Sequence, residues 1–163
     1  MEKELRMYGF VNYQLTGIQK GIQFAHSIVE YGLENFNTDE YLDWAKNWKT
    51  VILLNGGTTN NNPDSLGSIN KTYNSLKENK VVCSSFSEPD LGDQMTSISF
   101  IVDERVFNKK KYPDVDDWIE QTRGVYIEHD TLEFEKSYVE WVTFIGGEKN
   151  LFLRDFLKNF GLA

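Results

Sequence analysis

The chain has 163 residues, 40% of them hydrophobic and 14% aromatic, which suffices for one packed domain and excludes a disordered chain. Seventeen basic residues against twenty-five acidic ones leave a net charge of −8, a field that repels phosphate backbones and anionic lipid and ranks small molecules above polyanions as partners. The single cysteine excludes an internal disulfide and a cysteine-rich metal site.

No basic start with an apolar run follows Met1, and no apolar stretch approaches spanning length, so a cytoplasmic protein with no membrane partner is expected. Residues 7–15 carry Tyr8, Phe10, Val11, Tyr13 and Leu15 on near-alternating positions, which predicts a strand buried on both faces. Thr16-Gly17 breaks it, and Thr16 is suited to cap a helix. Ile18, Ile22, Ala25, Val29 and Leu33 then recur at helical spacing, which predicts an apolar stripe turned toward the core. Gln19, Gln23 and His26 flank that stripe. With Lys20 they gather near a helix N-terminus, where free backbone N–H groups favour anions.

A short amphipathic helix is predicted over residues 38–48 and a central strand over 49–54. Asn55-Gly56-Gly57-Thr58-Thr59 is expected to end that strand, either as an ordinary turn or as a set of backbone N–H groups and hydroxyls offered to a ligand. A helix follows from Pro63 to about Lys80. A third strand covers 81–86, with Cys83 as a small buried thiol, and a fourth covers 95–102. Between those strands, Glu88, Asp90 and Asp93 stand in a loop dense in carboxylates. Beyond Asp103 come a basic run, Lys109-Lys110-Lys111, expected to be solvated, and helices at 115–122, 131–144 and 150–160, with Gly146-Gly147 as a break.

The expected fold class is therefore α/β, a single domain over residues 1–163. A four-stranded mixed sheet flanked by helices occupies residues 7–102. A helical C-terminal extension, 103–163, is packed on that core or lies at a subunit interface.

The order strand, Gln-rich helix, strand, helix, strand, carboxylate loop, strand resembles the peptidyl-tRNA hydrolase of archaea and eukaryotes, the type 2 family. Gln23 and His26 keep that family's Gln-x-x-His spacing, Ser27 supplies the small residue after the histidine, and Thr96 opens the last strand. The resemblance implies a peptidyl-tRNA hydrolase-like fold over residues 7–102. It does not carry the catalytic set across, because the family's lysine position is Gln19 here and Lys20 is turned by about 100° from it. The family's Asp-Ala-Gly-x-Thr loop is replaced by Glu88-Pro89-Asp90-Leu91. The stretches FSEPDLGDQMTSI and GGEKNLFLRDFLKNF also resemble small phage-encoded proteins of this fold. By analogy, such a protein withholds a nucleotide signal of bacterial defence, in the host cytoplasm.

Together these readings favour a non-catalytic protein that binds a small nucleotide-like ligand, as a homodimer, with no cofactor and no metal. Lys20 and the turn of Asn55, Gly56, Gly57 and Thr58 would hold negative charge. Gln14, Gln23, His26 and Thr96 would orient hydrogen bonds, and Glu88 or Asp90 would engage hydroxyls. For each of these the bland alternative is structural: His26 as a packed core residue, Lys20 as a solvated lysine, the carboxylates as turn formers. His26 and His129 lack metal-ligand spacing. The alternatives are a hydrolase of peptidyl-tRNA or a related ester, with Lys20 or His26 as the base and tRNA as partner, and a protein-interaction module built on the aromatic tail.

Overall fold

The computed structural model describes residues 3–163. They form an α/β structure with a four-stranded mixed open sheet and seven α-helices, divided into two compact units. One unit takes the chain up to Val102 together with Asn159–Ala163, and the other takes Asp103–Lys158.

The sheet unit is ordered β2-β1-β4-β3. Strand β1, Leu5–Asn12, is buried on both faces, as its apolar run from Met7 to Val11 requires of a central strand. It pairs in parallel with β2, Thr50–Gly57, and the register slips between Val11 and Asn12. Strand β3, Cys83–Glu88, runs antiparallel to β4, Gln94–Asp103. Burial pushes the Cys83 thiol up to about 11, so it stays protonated at neutral pH. Helix α1, Gly17–Asn35, opens with a capping box: Gln19 N–H donates to Thr16 Oγ1 at 3.3 Å, and Thr16 N–H to Gln19 Oε1 at 3.0 Å. Short α2, Asp39–Asp43, continues into a π-helical turn at Trp44–Trp48, and α3 runs Ser68–Glu78.

Three expectations are corrected. The first concerns the stripe of α1. Ile18 is 80% exposed, Ile22 48%, Val29 59% and Leu33 67%, and Ala25 is exposed as well. The buried line is Gln23, Phe24, Ser27, Tyr31 and Gly32. The reason is the strand beneath: β4 presents Thr96, Ser97 and Ser99, all buried, and buried hydroxyls require polar partners. Thr96 Oγ1 donates to Gln23 Oε1, Ser97 Oγ to the Gln23 carbonyl at 2.6 Å, and Ser99 Oγ to the Ser27 carbonyl at 2.7 Å.

The second concerns β2, which does not stop at Leu54 but continues through Asn55-Gly56-Gly57. Gly57 has φ +77° and lies against the Ser68 hydroxyl, a place and a conformation that exclude a side chain. The third concerns the basic run. Lys110 and Lys111 are exposed as expected, but Lys109 pairs with Asp114 and Lys111 with buried Glu104, each at 2.7 Å.

The core of the sheet unit holds Leu5, Met7, Val11, Phe24, Tyr31, Trp44 and Ile101 in one cluster. Phe10 stacks on Phe100, ring centroids 5.8 Å apart, and meets Phe160 edge-on at 4.6 Å. The last residues return to this unit as a strap on β2: Asn55 N–H donates to the Gly161 carbonyl at 2.9 Å, and Ala163 N–H to that of Leu53 at 3.1 Å. The strap covers part of an open sheet edge.

The helical unit contains α4 (Glu104–Phe107), α5 (Val115–Arg123), α6 (Leu132–Phe144) and α7 (Glu148–Phe156). Trp141, Val142 and Ile145 form its apolar centre with Val115, Trp118, Tyr138 and Leu151. Buried Arg154 pins it, donating to the Arg105 and Tyr112 carbonyls at 2.6 and 3.0 Å and to Asp114 at 2.7 Å, beside the Trp141 ring. Among the described residues, no helix is long and apolar enough to cross a membrane.

Candidate functional site

The C-terminal ends of β1 and β2, the start of α1 and the turn between β3 and β4 meet at one rim of the sheet. Two sets of hydrogen bonds draw them together. Asn12, at the end of β1, donates through Nδ2 to Thr59 Oγ1 at 2.9 Å, and that hydroxyl donates to the Met95 carbonyl at 2.6 Å. Asn61 Nδ2 donates to the Asp93 carbonyl at 3.1 Å, tying the loop after β2 to the acidic turn. Across from these, Gln23 of α1 donates through Nε2 to Glu88 Oε2 at 2.6 Å and accepts from Thr96 Oγ1 at 2.5 Å. A buried amide satisfied at both ends is fixed in orientation, and here it joins a helix to two strands.

Of the residues picked out from the sequence, Gln23, Glu88 and Thr96 are thus in direct contact. Glu88 keeps its Oε1 without a partner among the described residues. Lys20 lies one turn before Gln23 on the same side of α1, half-buried, with no ion pair among the described residues. His26 is exposed and sets its ring edge-on against Phe86, centroids 4.5 Å apart, so it is not sealed in the core. Gln14 is exposed, and among the described residues only its backbone N–H is engaged, by Asn12 Oδ1 at 2.8 Å. Asp90 stands exposed in the turn Pro89–Leu91.

The glycine bend takes a different part from the one expected of it. Gly57 N–H donates to Asn55 Oδ1 at 2.9 Å and Thr58 N–H to Ser68 Oγ at 2.8 Å, while Ser68 Oγ donates to the Gly56 carbonyl at 3.0 Å. The donors of Gly57 and Thr58 are spent within the fold, so the bend does not offer them to a ligand. Asn12, Thr59 and Asn61 hold the rim together; Thr59 was expected to offer its hydroxyl to a ligand, and Asn12 and Asn61 were not singled out from the sequence. Their signal was a polar residue closing an apolar strand and a run of side-chain amides after a Gly-Gly, features shared with ordinary loops.

Among the described residues, no group of three or more His, Cys, Asp or Glu side chains is arranged to hold a metal ion. In the helical unit a hollow of about 200 Å³ is lined by Asp116, Asp117, Glu120, Val125 and Tyr126 among others. His129 Nε2 lies 2.8 Å from Asp116 Oδ1 nearby. The carboxylates of that hollow disfavour an anionic ligand. Compared with known proteins, the chain matches no protein-family model and no curated protein.

Proposed function

We propose that the chain binds a small nucleotide-like ligand at the rim and holds it without breaking a bond, as a phage protein would in withholding a bacterial immune nucleotide signal. The observation that carries this reading is the Gln23 amide, locked between Glu88 and Thr96, which brings the helix start and the acidic turn to one place. Lys20 supplies the charge for a phosphate, Glu88 Oε1 and Asp90 are acceptors for ribose hydroxyls, and Gln14 and His26 offer donors and acceptors to a base edge. The element order β1, α1, α2, β2, α3, β3, turn, β4 supports a peptidyl-tRNA hydrolase-like fold for the sheet unit, with α2 as an added short helix. Loss of its chemistry is supported by Gln19, which takes the place of the family's lysine and is committed to the capping box.

The test is retention. The protein is incubated with a panel of linear and cyclic nucleotides, freed of unbound ligand by gel filtration, and then heat-denatured, and the released ligand is weighed by mass spectrometry. Intact ligand is the expected result. Altered ligand would transfer the site to the hydrolase reading, with Lys20 as base, and no retained nucleotide would overturn the proposal. Lys20→Ala is expected to weaken retention roughly tenfold or more, the worth of one charge-assisted hydrogen bond.

A further inference from the structure

The outward stripe of α1 leaves five large apolar side chains uncovered among the described residues of the sheet unit. Ile18, Ile22, Val29 and Leu33, continued by Phe36 at 67% exposure, leave roughly 500 Å² of apolar surface in the open. Two such faces joined bury about 1,000 Å², the lower bound for a specific interface. No charged side chain falls inside the stripe.

The pattern is also its own complement. Ile18 and Leu33, and likewise Ile22 and Val29, lie symmetrically about a point between Ala25 and His26. Two antiparallel copies of α1 related by a two-fold axis at that point would set Ile18 against Leu33 and Ile22 against Val29, with Ala25 against His26 at the crossing.

Gly21, bordering the stripe, is the independent sign. A Cβ added there would meet nothing within 4 Å, in contrast to Gly32 of the same helix, where it would run into the Tyr41 hydroxyl. Nothing inside the chain therefore requires a glycine at position 21, and glycine is the poorest helix former short of proline. A second backbone approaching closely from outside is what would require it.

We infer that the exposed face of α1 is the contact surface of a homodimer, in which the α1 helices of two copies pack antiparallel about a two-fold axis beside Ala25. Sedimentation velocity of the full chain across the micromolar range is expected to show a reversible dimer of twice the 18.9 kDa chain mass. Gly21→Leu puts a better helix former where there is room for it, so its melting temperature is expected to hold or rise while the dimer dissociation constant rises at least tenfold. Ile22→Asp is expected to give a folded monomer.

The register is read by cross-linking. Ile18→Cys copies mixed with Leu33→Cys copies are expected to join under a short bifunctional thiol reagent. Ile18→Cys copies alone are not, because their thiols would lie about 22 Å apart along the pair. Buried Cys83 stays silent as the background. A monomer throughout the concentration range, a dimer indifferent to Gly21→Leu, or self-linking of Ile18→Cys overturns the inference. So does a face that associates only with a different protein.

Discussion

Helices α1 and α3 are both amphipathic, flank the same sheet, and are mounted in opposite senses. In α3 the apolar residues Ile69 and Leu76 are fully buried and Lys71 and Lys77 face out. In α1 the aliphatic stripe faces out, and Gln23 and Ser27 face in beside Phe24 and Tyr31. Periodicity reports that a segment is a helix with two unlike sides, but the sheet decides which side is inside. Where β4 offers buried hydroxyls, a hydrocarbon face would leave Thr96, Ser97 and Ser99 without partners, at a cost of about 1–3 kcal/mol for each group left unpaired. Hydrogen bonds and helix carbonyls therefore join the packing of Phe24 and Tyr31 under α1.

The contrast can be broken by substitution. Leu76→Ala is expected to cost the most, about 3 kcal/mol by urea unfolding, because it opens a cavity in a fully buried site. A loss below about 1 kcal/mol would remove the apolar half of the comparison. Gln23→Leu comes next. If α1 were held by hydrocarbon, a leucine turned toward the sheet would be neutral or stabilising. Because Glu88 and Thr96 lose their partner, a loss of about 1–3 kcal/mol is expected instead.

A polar pin in the helical unit sharpens the same contrast through pH. Burial pushes the Asp103 carboxyl up, but hydrogen bonds from Arg105 and Asn150 outweigh burial and hold it below the ordinary carboxylate range. A depressed carboxylate stabilises the fold above its unfolded value and loses that contribution as pH falls through the folded one. Melting temperature is therefore expected to drop more steeply between about pH 4 and pH 2 in the natural chain than in Asp103→Asn. The smallest effect is expected from Ile22→Ala. Measured below the dimer dissociation constant, it should shift stability by no more than about 0.5 kcal/mol, as an exposed position does. A larger loss would mean that the stripe is packed within one chain.

Much of the fold was legible in short stretches. Thr16 and Gln19 announce the start of α1 through a bond between near neighbours, Pro63 and Gly92 sit at local turns, and alternating apolar residues mark the strands. Helix type and strand type follow from contacts only a few residues apart, so one sequence carries their signal. The glycine bend shows where that stops. Asn55-Gly56-Gly57 reads as a strand ending, yet β1 alongside extends the pairing to Gly57, and Ser68, ten residues further on from Thr58, takes the N–H that a local reading leaves free.

Amphipathicity, capping and the α/β alternation were thus settled along the chain, by interactions that each segment makes with itself. The inward side of α1, the length of β2 and the meeting of Gln23 with Glu88 and Thr96 were settled by assembly. Those partners stand 65 and 73 residues away. Hydrogen-bond satisfaction in a buried seam depends on what the opposing strand presents, and no window of sequence around Gln23 contains that strand.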